Sequence, residues 1–167
     1  MIIRREEPRD AAAIRFVNEQ AFGGSGEANA IDALRARGAF TFSFVAVIDD
    51  RVVGHLLFTP VTIEAPDRSW PALGLAPLAV LPEYQRQGIG TALMKAGLEE
   101  CRQLGHECVV VLGHPNYYPR FGFVTAKPRG IDNEYHAEEA FMILELQPGA
   151  FTNVAGLAKY QPEWNGV

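Results

Sequence analysis

Residues 80 to 93 read Val80-Leu81-Pro82-Glu83-Tyr84-Gln85-Arg86-Gln87-Gly88-Ile89-Gly90-Thr91-Ala92-Leu93. An apolar strand passes through a polar turn with two glycines into an amphipathic helix. At such a junction successive backbone N–H groups converge on the helix N-terminus, where the helix dipole favours an anion. Gly88 and Gly90 carry no Cβ, so a ligand can approach the main chain closely. Arg86 adds a positive charge to the same turn. No Gly-Lys-Ser/Thr follows, which excludes a nucleoside-triphosphate loop, and Leu93 stands where a dinucleotide fold needs its third glycine. A bare Gly-x-Gly also suits an ordinary strand-to-helix turn. The full order of strand, Gln-x-x-Gly-x-Gly and helix is what points to a phosphate cradle.

Upstream, Ile2 to Arg5 reads as a short strand, and Pro8 suits the first turn of a helix because its missing N–H would be unpaired there anyway. Ile14, Val17 and Ala21 recur at helical spacing, with Phe16 widening the stripe. Gly23-Gly24-Ser25-Gly26 breaks the pattern, and a second helix begins near Glu27, buries Ile31 and Leu34, and stops at Gly38. Two apolar runs, Phe42 to Ile48 and Val52 to Ile63, flank the tight Asp49-Asp50-Arg51 turn as a hairpin. After a turn at Ala65 to Ser69, Trp70 to Leu81 forms a fourth strand. Pro77 cannot donate to a ladder, so that strand bulges or lies unpaired on one side there.

Downstream, the helix after the glycines presents Ile89, Leu93, Ala96, Cys101 and Leu104 as its buried face and ends at Gly105. Glu107 to Leu112 is a continuous apolar run that suits a fully buried strand, and Phe141 to Leu146 forms a late strand. This order of elements, without repeats or linkers, describes an α+β (mixed α/β) domain.

Composition narrows the function. A chain of 167 residues fits one domain and buries a substantial core. The net charge of −5, with no run of Lys or Arg, argues against a nucleic-acid footprint. No segment approaches a membrane span and the N-terminus lacks a signal peptide's apolar core, so a cytoplasmic location is expected. Cys101 and Cys108 show no metal or redox spacing and read as reduced core residues, and no metal site is expected.

The Gln85-x-x-Gly88-x-Gly90 turn resembles the pyrophosphate-binding signature of the GCN5-related N-acetyltransferases, the GNAT superfamily. A second stretch, Gly113-His114-Pro115-Asn116-Tyr117-Tyr118-Pro119-Arg120-Phe121-Gly122-Phe123, ends in Tyr118-x-x-x-Gly122-Phe123. That ending is similar to a second signature of the same family, a tyrosine beside the CoA sulfur. The order of elements from Ile2 to Leu146 fits as well. Many members carry an asparagine at the end of the fifth strand and about two turns of helix before the tyrosine; here Asn116 is too close to Tyr118 to match. The Leu112-Gly113-His114-Pro115 form, with Gly156 to Tyr160 in the tail, looks like the YhbS-like group of acetyltransferases.

This resemblance implies a single GNAT domain over 1–167, with 148–167 as a C-terminal extension packed on it. Its central sheet is mostly antiparallel and twisted, splayed at the fourth and fifth strands and flanked by helices. It implies acetyl-CoA as co-substrate, with the backbone of Leu78, Ala79 and Val80 along the pantetheine arm. Gln85, Arg86, Gln87, Gly88, Ile89, Gly90 and Thr91 surround the pyrophosphate. The acceptor it implies is a primary amine of a small molecule or peptide, with no nucleic acid or membrane, the chain acting as monomer or homodimer. The rival is a non-catalytic acyl-CoA sensor or protein-interaction module. Transfer of another acyl group, or to a hydroxyl, is a third reading. Tyr118 favours an enzyme.

The chemistry assigns roles within that frame. An amine attacks as the free base, so a proton leaves it. The carbonyl oxygen gains charge best met by a backbone N–H on the splayed strand. The departing thiolate takes a proton, and a phenol, neutral at pH 7 with an ordinary pKa of about 10, suits that donation. Tyr118 is the candidate acid, set above Tyr117 by its spacing to Gly-Phe; core packing is the competing role for both. The base is open. Glu27 and His114 are candidates, against a helix-dipole role for Glu27, a turn role for His114, and water with no dedicated base. His55, His106 and His136 read as structural or exposed.

Overall fold

The computed structural model describes all 167 residues, Met1 to Val167. Strand β1 (Ile2–Arg5) leads through a 3-10 turn at Pro8–Asp10 into helix α1 (Ala11–Phe22), followed by α2 (Gly26–Arg37). Strands β2 (Phe42–Ile48), β3 (Arg51–Glu64) and β4 (Ser69–Val80) precede α3 (Ile89–Gln103), β5 (Cys108–Leu112) and the short β6 (Val124–Thr125) and β7 (Ile131–Asn133). Strands β8 (Phe141–Glu145) and β9 (Gly156–Lys159) complete a mixed sheet of order β1-β2-β3-β4-β5-β8-β6, in which β9 joins β3 to β7. Its long-range contacts fall into two compact units, one of Met1–Phe58, Pro77–Glu100 and Pro162–Val167, the other of Thr59–Ala76 and Cys101–Gln161.

In the first unit β1 and β3 flank β2 in antiparallel register, with Ile3 opposite Ala46 and Val45 opposite His55. The β2–β3 turn is two residues, Asp49 and Asp50, both at positive φ, as a tight hairpin requires. Strand β3 is buried without a break from Val53 to Thr59 because helices cover both faces. On one face Gly54 lies against Leu93 and Ile89 of α3, while Leu56 and Phe58 meet Gly97. On the other, His55 meets Asn18 of α1. Each large apolar side chain removed from water here is worth about 1.5–3 kcal/mol.

That packing corrects two expectations. Phe16 does not widen the stripe of α1: it is 46% exposed, and Asn18 is buried instead. Leu104 falls beyond the end of α3 and is 52% exposed; Met94, Gly97 and Leu98 complete the buried face. Asn18 is drawn inward by polar partners, since its Nδ2 donates to the Ile14 carbonyl (2.9 Å) and to His55 Nδ1 (3.1 Å).

In the second unit β4 and β5 run parallel, pairing Leu73 with Val109, Gly74 with Val110 and Leu75 with Val111. Strand β5 pairs on its other edge with β8, antiparallel from Cys108–Glu145 to Leu112–Phe141. The second half of β3 pairs with β9 over Thr62–Lys159, Ile63–Ala158 and Glu64–Leu157. At 14 residues, β3 is long enough to hold β2 with its first half and β9 with its second.

Candidate active site

The registered pairing of β4 with β5 stops at Leu75, and β4 continues to Val80. Pro77 stands in this continuation, where its missing N–H removes no β4–β5 bond. Leu78, Ala79 and Val80 follow it, alternating half-buried, buried and half-buried. The strand leaves the sheet at Leu81, whose N–H donates to the Val53 carbonyl (2.9 Å).

The turn beyond is built by its own side chains. Gln85 Nε2 donates to the Val80 carbonyl (2.9 Å), and Gln87 Nε2 donates to the Glu83 carbonyl (3.1 Å). Arg51 braces the outside, donating to Glu83 Oε1 (3.3 Å) with its guanidinium 5.8 Å from the centre of the Tyr84 ring. Arg86 (φ 61°) and Gly88 (φ 85°) both adopt the left-handed conformation, and both are exposed. Helix α3 then starts at Ile89, and its Ala92 N–H donates to the Gly88 carbonyl (3.0 Å). The amides of Ile89 and Gly90 come before the helix can supply carbonyl partners, the arrangement that attracts anions. A Cβ placed on Gly88 would meet no protein atom within 4 Å. The space beside this backbone is open to a ligand.

Tyr118 sits in the second unit, at the head of a 3-10 turn, Tyr118–Phe121. Its ring is 8% exposed. It packs edge-on against Phe123 and Tyr117, with ring centres 5.7 Å and 5.2 Å away, and lies on the backbone of Gly113. Burial, with the Tyr117 phenol adding to it, pushes the Tyr118 hydroxyl up to about 12. It therefore stays protonated across the physiological range. Tyr117 is half-buried, and the Arg120 guanidinium stacks 4.5 Å from its ring centre.

His114 lies four residues before Tyr118 with an exposed side chain, and its carbonyl accepts the Tyr117 N–H (3.0 Å) and Tyr118 N–H (3.4 Å). The backbone of His114 thus sets the tyrosine turn. Glu27 is half-buried in the first turn of α2 in the first unit. Cys101 and Cys108 are both buried and form no disulfide; the Cys108 thiol donates to the Pro71 carbonyl (3.7 Å), and burial raises it to about 11. No group of three His, Cys, Asp or Glu side chains is arranged to hold a metal, and no helix is long and apolar enough to cross a membrane.

One tyrosine escaped the motifs. Tyr160 follows β9, is 9% exposed, and its hydroxyl has no hydrogen-bond partner. The phenols of Tyr118 and Tyr135 lie near enough for their charge to be felt at it. Its only local signal was its place in the Gly156 to Tyr160 tail, which carries no chemistry by itself.

Comparison with known proteins agrees with this geometry. The family model described as an acetyltransferase (GNAT) domain matches residues 3–126. The chain is 35% identical over 167 residues to the N-acetyltransferase YhbS of Escherichia coli K12, covering 99% of both proteins. It is 45% identical over 154 residues to the N-acetyltransferase YjhQ of the same organism, covering 86% of this chain and 84% of that protein. The crystal structure of YhbS in complex with CoA superposes with a TM-score of 0.92 at 33% identity, over 98% of this chain and 91% of YhbS. A GNAT family acetyltransferase from Brucella melitensis in complex with acetyl-CoA matches with a TM-score of 0.82 at 36% identity, covering 98% and 97%. With the glycine turn, the parallel pair that ends early and the buried tyrosine in place, this chain belongs to the GNAT family of acetyltransferases.

Proposed function

We propose that the chain, acting over 1–167 as one catalytic domain, transfers the acetyl group of acetyl-CoA to a primary amine of a small molecule or peptide. The observation that carries this reading is the open left-handed turn at Gly88 on the N-terminus of α3. It fits a pyrophosphate, because it offers backbone amides, the positive end of a helix dipole and no side chain in the way. Gln85 to Thr91 hold the phosphates, and the backbone of Leu78, Ala79 and Val80 pairs with the pantetheine arm.

When bound, acetyl-CoA supplies an acetyl thioester. The amine nitrogen bonds to its carbonyl carbon, the C–S bond breaks, the amine gives up one proton, and the sulfur gains one. A backbone N–H of the β4 extension stabilises the carbonyl oxygen as its charge grows. Tyr118 serves the departing sulfur. A phenol at about 12 donates uphill to a thiolate of ordinary pKa, about 8.5. Burial raises thiols too, as the value near 11 for Cys108 illustrates in this chain, so a desolvated sulfur competes well for the Tyr118 proton. Glu27 or His114 receives the amine proton or contacts the acceptor.

The test is a panel of amines, peptides and aminoacyl compounds, read as free thiol released from acetyl-CoA and as acetylated product by mass. Acetyl-dependent modification of at least one amine is expected. Calorimetry showing no affinity for acetyl-CoA, or binding with no product from any amine, overturns the reading.

A further inference from the structure

The last peptide plane of β4 is held at both ends. The Val80 C=O and the Leu81 N–H belong to one planar trans unit and point opposite ways. The N–H donates to the Val53 carbonyl on β3 (2.9 Å), and the C=O accepts from Gln85 Nε2 (2.9 Å). Only the amide nitrogen of Gln85 can donate to a carbonyl, so this partner fixes which way the side-chain amide faces. The chain between the two residues is closed as well. Tyr84 N–H donates to the Leu81 carbonyl (2.8 Å), and Gln85 N–H to the Pro82 carbonyl (3.3 Å).

The pinned plane stands between the strand end at Val80 and the glycine turn. In an extended residue the N–H and C=O share one edge of the strand. Val80 therefore presents both on the edge turned away from β3, and β5 registers no partner along β4 beyond Leu75. With its carbonyl taken by Gln85, Val80 has its N–H left for a ligand. The direction of that N–H follows from the held plane through the torsions of Val80. Gln85 is exposed, so in the free protein water competes for the Val80 carbonyl and the bond adds little to folding. A cofactor lying over the turn excludes that water and strengthens the bond.

We propose that the Gln85 side chain is a positioning residue that locks the pantetheine-binding end of β4 to the pyrophosphate turn, so that the two parts of acetyl-CoA are held in a fixed relation. This rests on the acetyltransferase reading above and divides the work within it. The main chain of Gln85 stays part of the phosphate turn. Its side chain acts on the arm through Val80 and touches no phosphate.

Gln85→Ala tests this with acetyl-CoA, with S-acetylpantetheine, which has the arm but no phosphates, and with ADP, which has the pyrophosphate but no arm. Calorimetry and NMR titration should show acetyl-CoA and S-acetylpantetheine each weakened about two- to ten-fold, with ADP unchanged. In the ligand-free variant the Leu81 amide should exchange with solvent several-fold faster, because its plane has lost one of its anchors, while the melting temperature hardly moves. Gln85→Arg can donate to the same carbonyl and should recover binding of the arm; Gln85→Glu cannot, and should behave as Gln85→Ala. A loss shared by acetyl-CoA and ADP, with S-acetylpantetheine spared, would make Gln85 a phosphate ligand and overturn the proposal. Unchanged Leu81 exchange overturns it too. So does equal weakening of all the probes with a melting temperature lowered by several degrees, which would mean a general role in folding. Wild type that binds none of the probes sinks the acetyltransferase reading itself, an outcome distinct from those because Leu81 exchange is read without ligand.

Discussion

Gly113 and Tyr118 are packed so closely that a methyl group on Gly113 would lie 2.4 Å from Tyr118 Cε2. The ring is pinned from other sides by Tyr117 and Phe123, so it could not yield without moving its hydroxyl. Gly113→Ala should therefore imitate loss of the phenol. Tyr118→Phe is expected to lower turnover about ten- to a thousand-fold with CoA affinity nearly intact. Gly113→Ala should lower it up to about a hundred-fold by misplacing the same group. Chemistry-limited turnover and CoA calorimetry on both variants check this. Wild-type turnover in Tyr118→Phe would hand the role to water, and a parallel loss of CoA affinity would make Tyr118 a binding residue.

The second prediction concerns the cradle. Gly88→Val has room in the protein but not in the ligand's place, and its left-handed backbone adds strain of about 1–2 kcal/mol. The melting temperature should drop modestly while CoA binding disappears. Arg86→Ala should weaken binding less, because an exposed charge contributes little. Arg86→Gly removes the same charge without the cost of positive φ and should bind alike with greater stability. Unchanged CoA affinity in Gly88→Val would remove the pyrophosphate from this turn.

Glu27→Gln and His114→Gln, assayed with one acceptor from pH 6 to 9, separate base from contact. Loss of an ascending limb in the kcat/KM profile marks the base. A raised KM with an unchanged profile marks a contact. Wild-type kinetics in both variants would leave water as the proton's route.

The fourth prediction is a pH dependence of folding. His55 is fully buried, and its Nδ1 accepts from Asn18 Nδ2, whose orientation is set by the Ile14 carbonyl; its Nε2 therefore carries the proton and donates to Ser43 Oγ (2.9 Å). Burial, reinforced by the Arg35 charge, lowers its pKa to about 3. In the unfolded chain it titrates near 6.5. Stability is thus fully present above about 6.5 and falls toward pH 3, because the unfolded state takes up the proton first, at up to about 1.4 kcal/mol per pH unit. Thermal unfolding at pH 7.5, 6, 5 and 4 should show that fall. His55→Gln should melt lower at pH 7.5 but with a shallower acid slope; equal slopes would assign the fall to carboxylates.

Much of this was written locally. The Asp49–Asp50 hairpin, the helix stop at Gly38 and the strand–turn–helix at Gln85 to Thr91 each depend on residues within a few positions of one another. So does the turn that begins at Tyr118. Helical periodicity found Ile14 and Val17, yet it took Phe16 for the apolar edge of α1. Nothing within α1 says that Asn18 will meet a histidine 37 positions away. Leu104 misled in the same manner, since it continues an apolar spacing past the residue at which α3 ends.

The sequence by itself determined the strand–glycine turn–helix at Gln85 to Thr91, the candidate tyrosine and the order of elements, because glycine torsions, proline's missing donor and helical or alternating burial act over a few residues. Only the tertiary structure decided that the β4–β5 pairing ends at Leu75, that β9 returns to join β3 and β7, and that Tyr118 and Tyr160 stand over Gly113 and Gly74. Those relations join residues far apart in the chain. They arise from the pairing of whole strands and the exclusion of water between them, which no short stretch encodes.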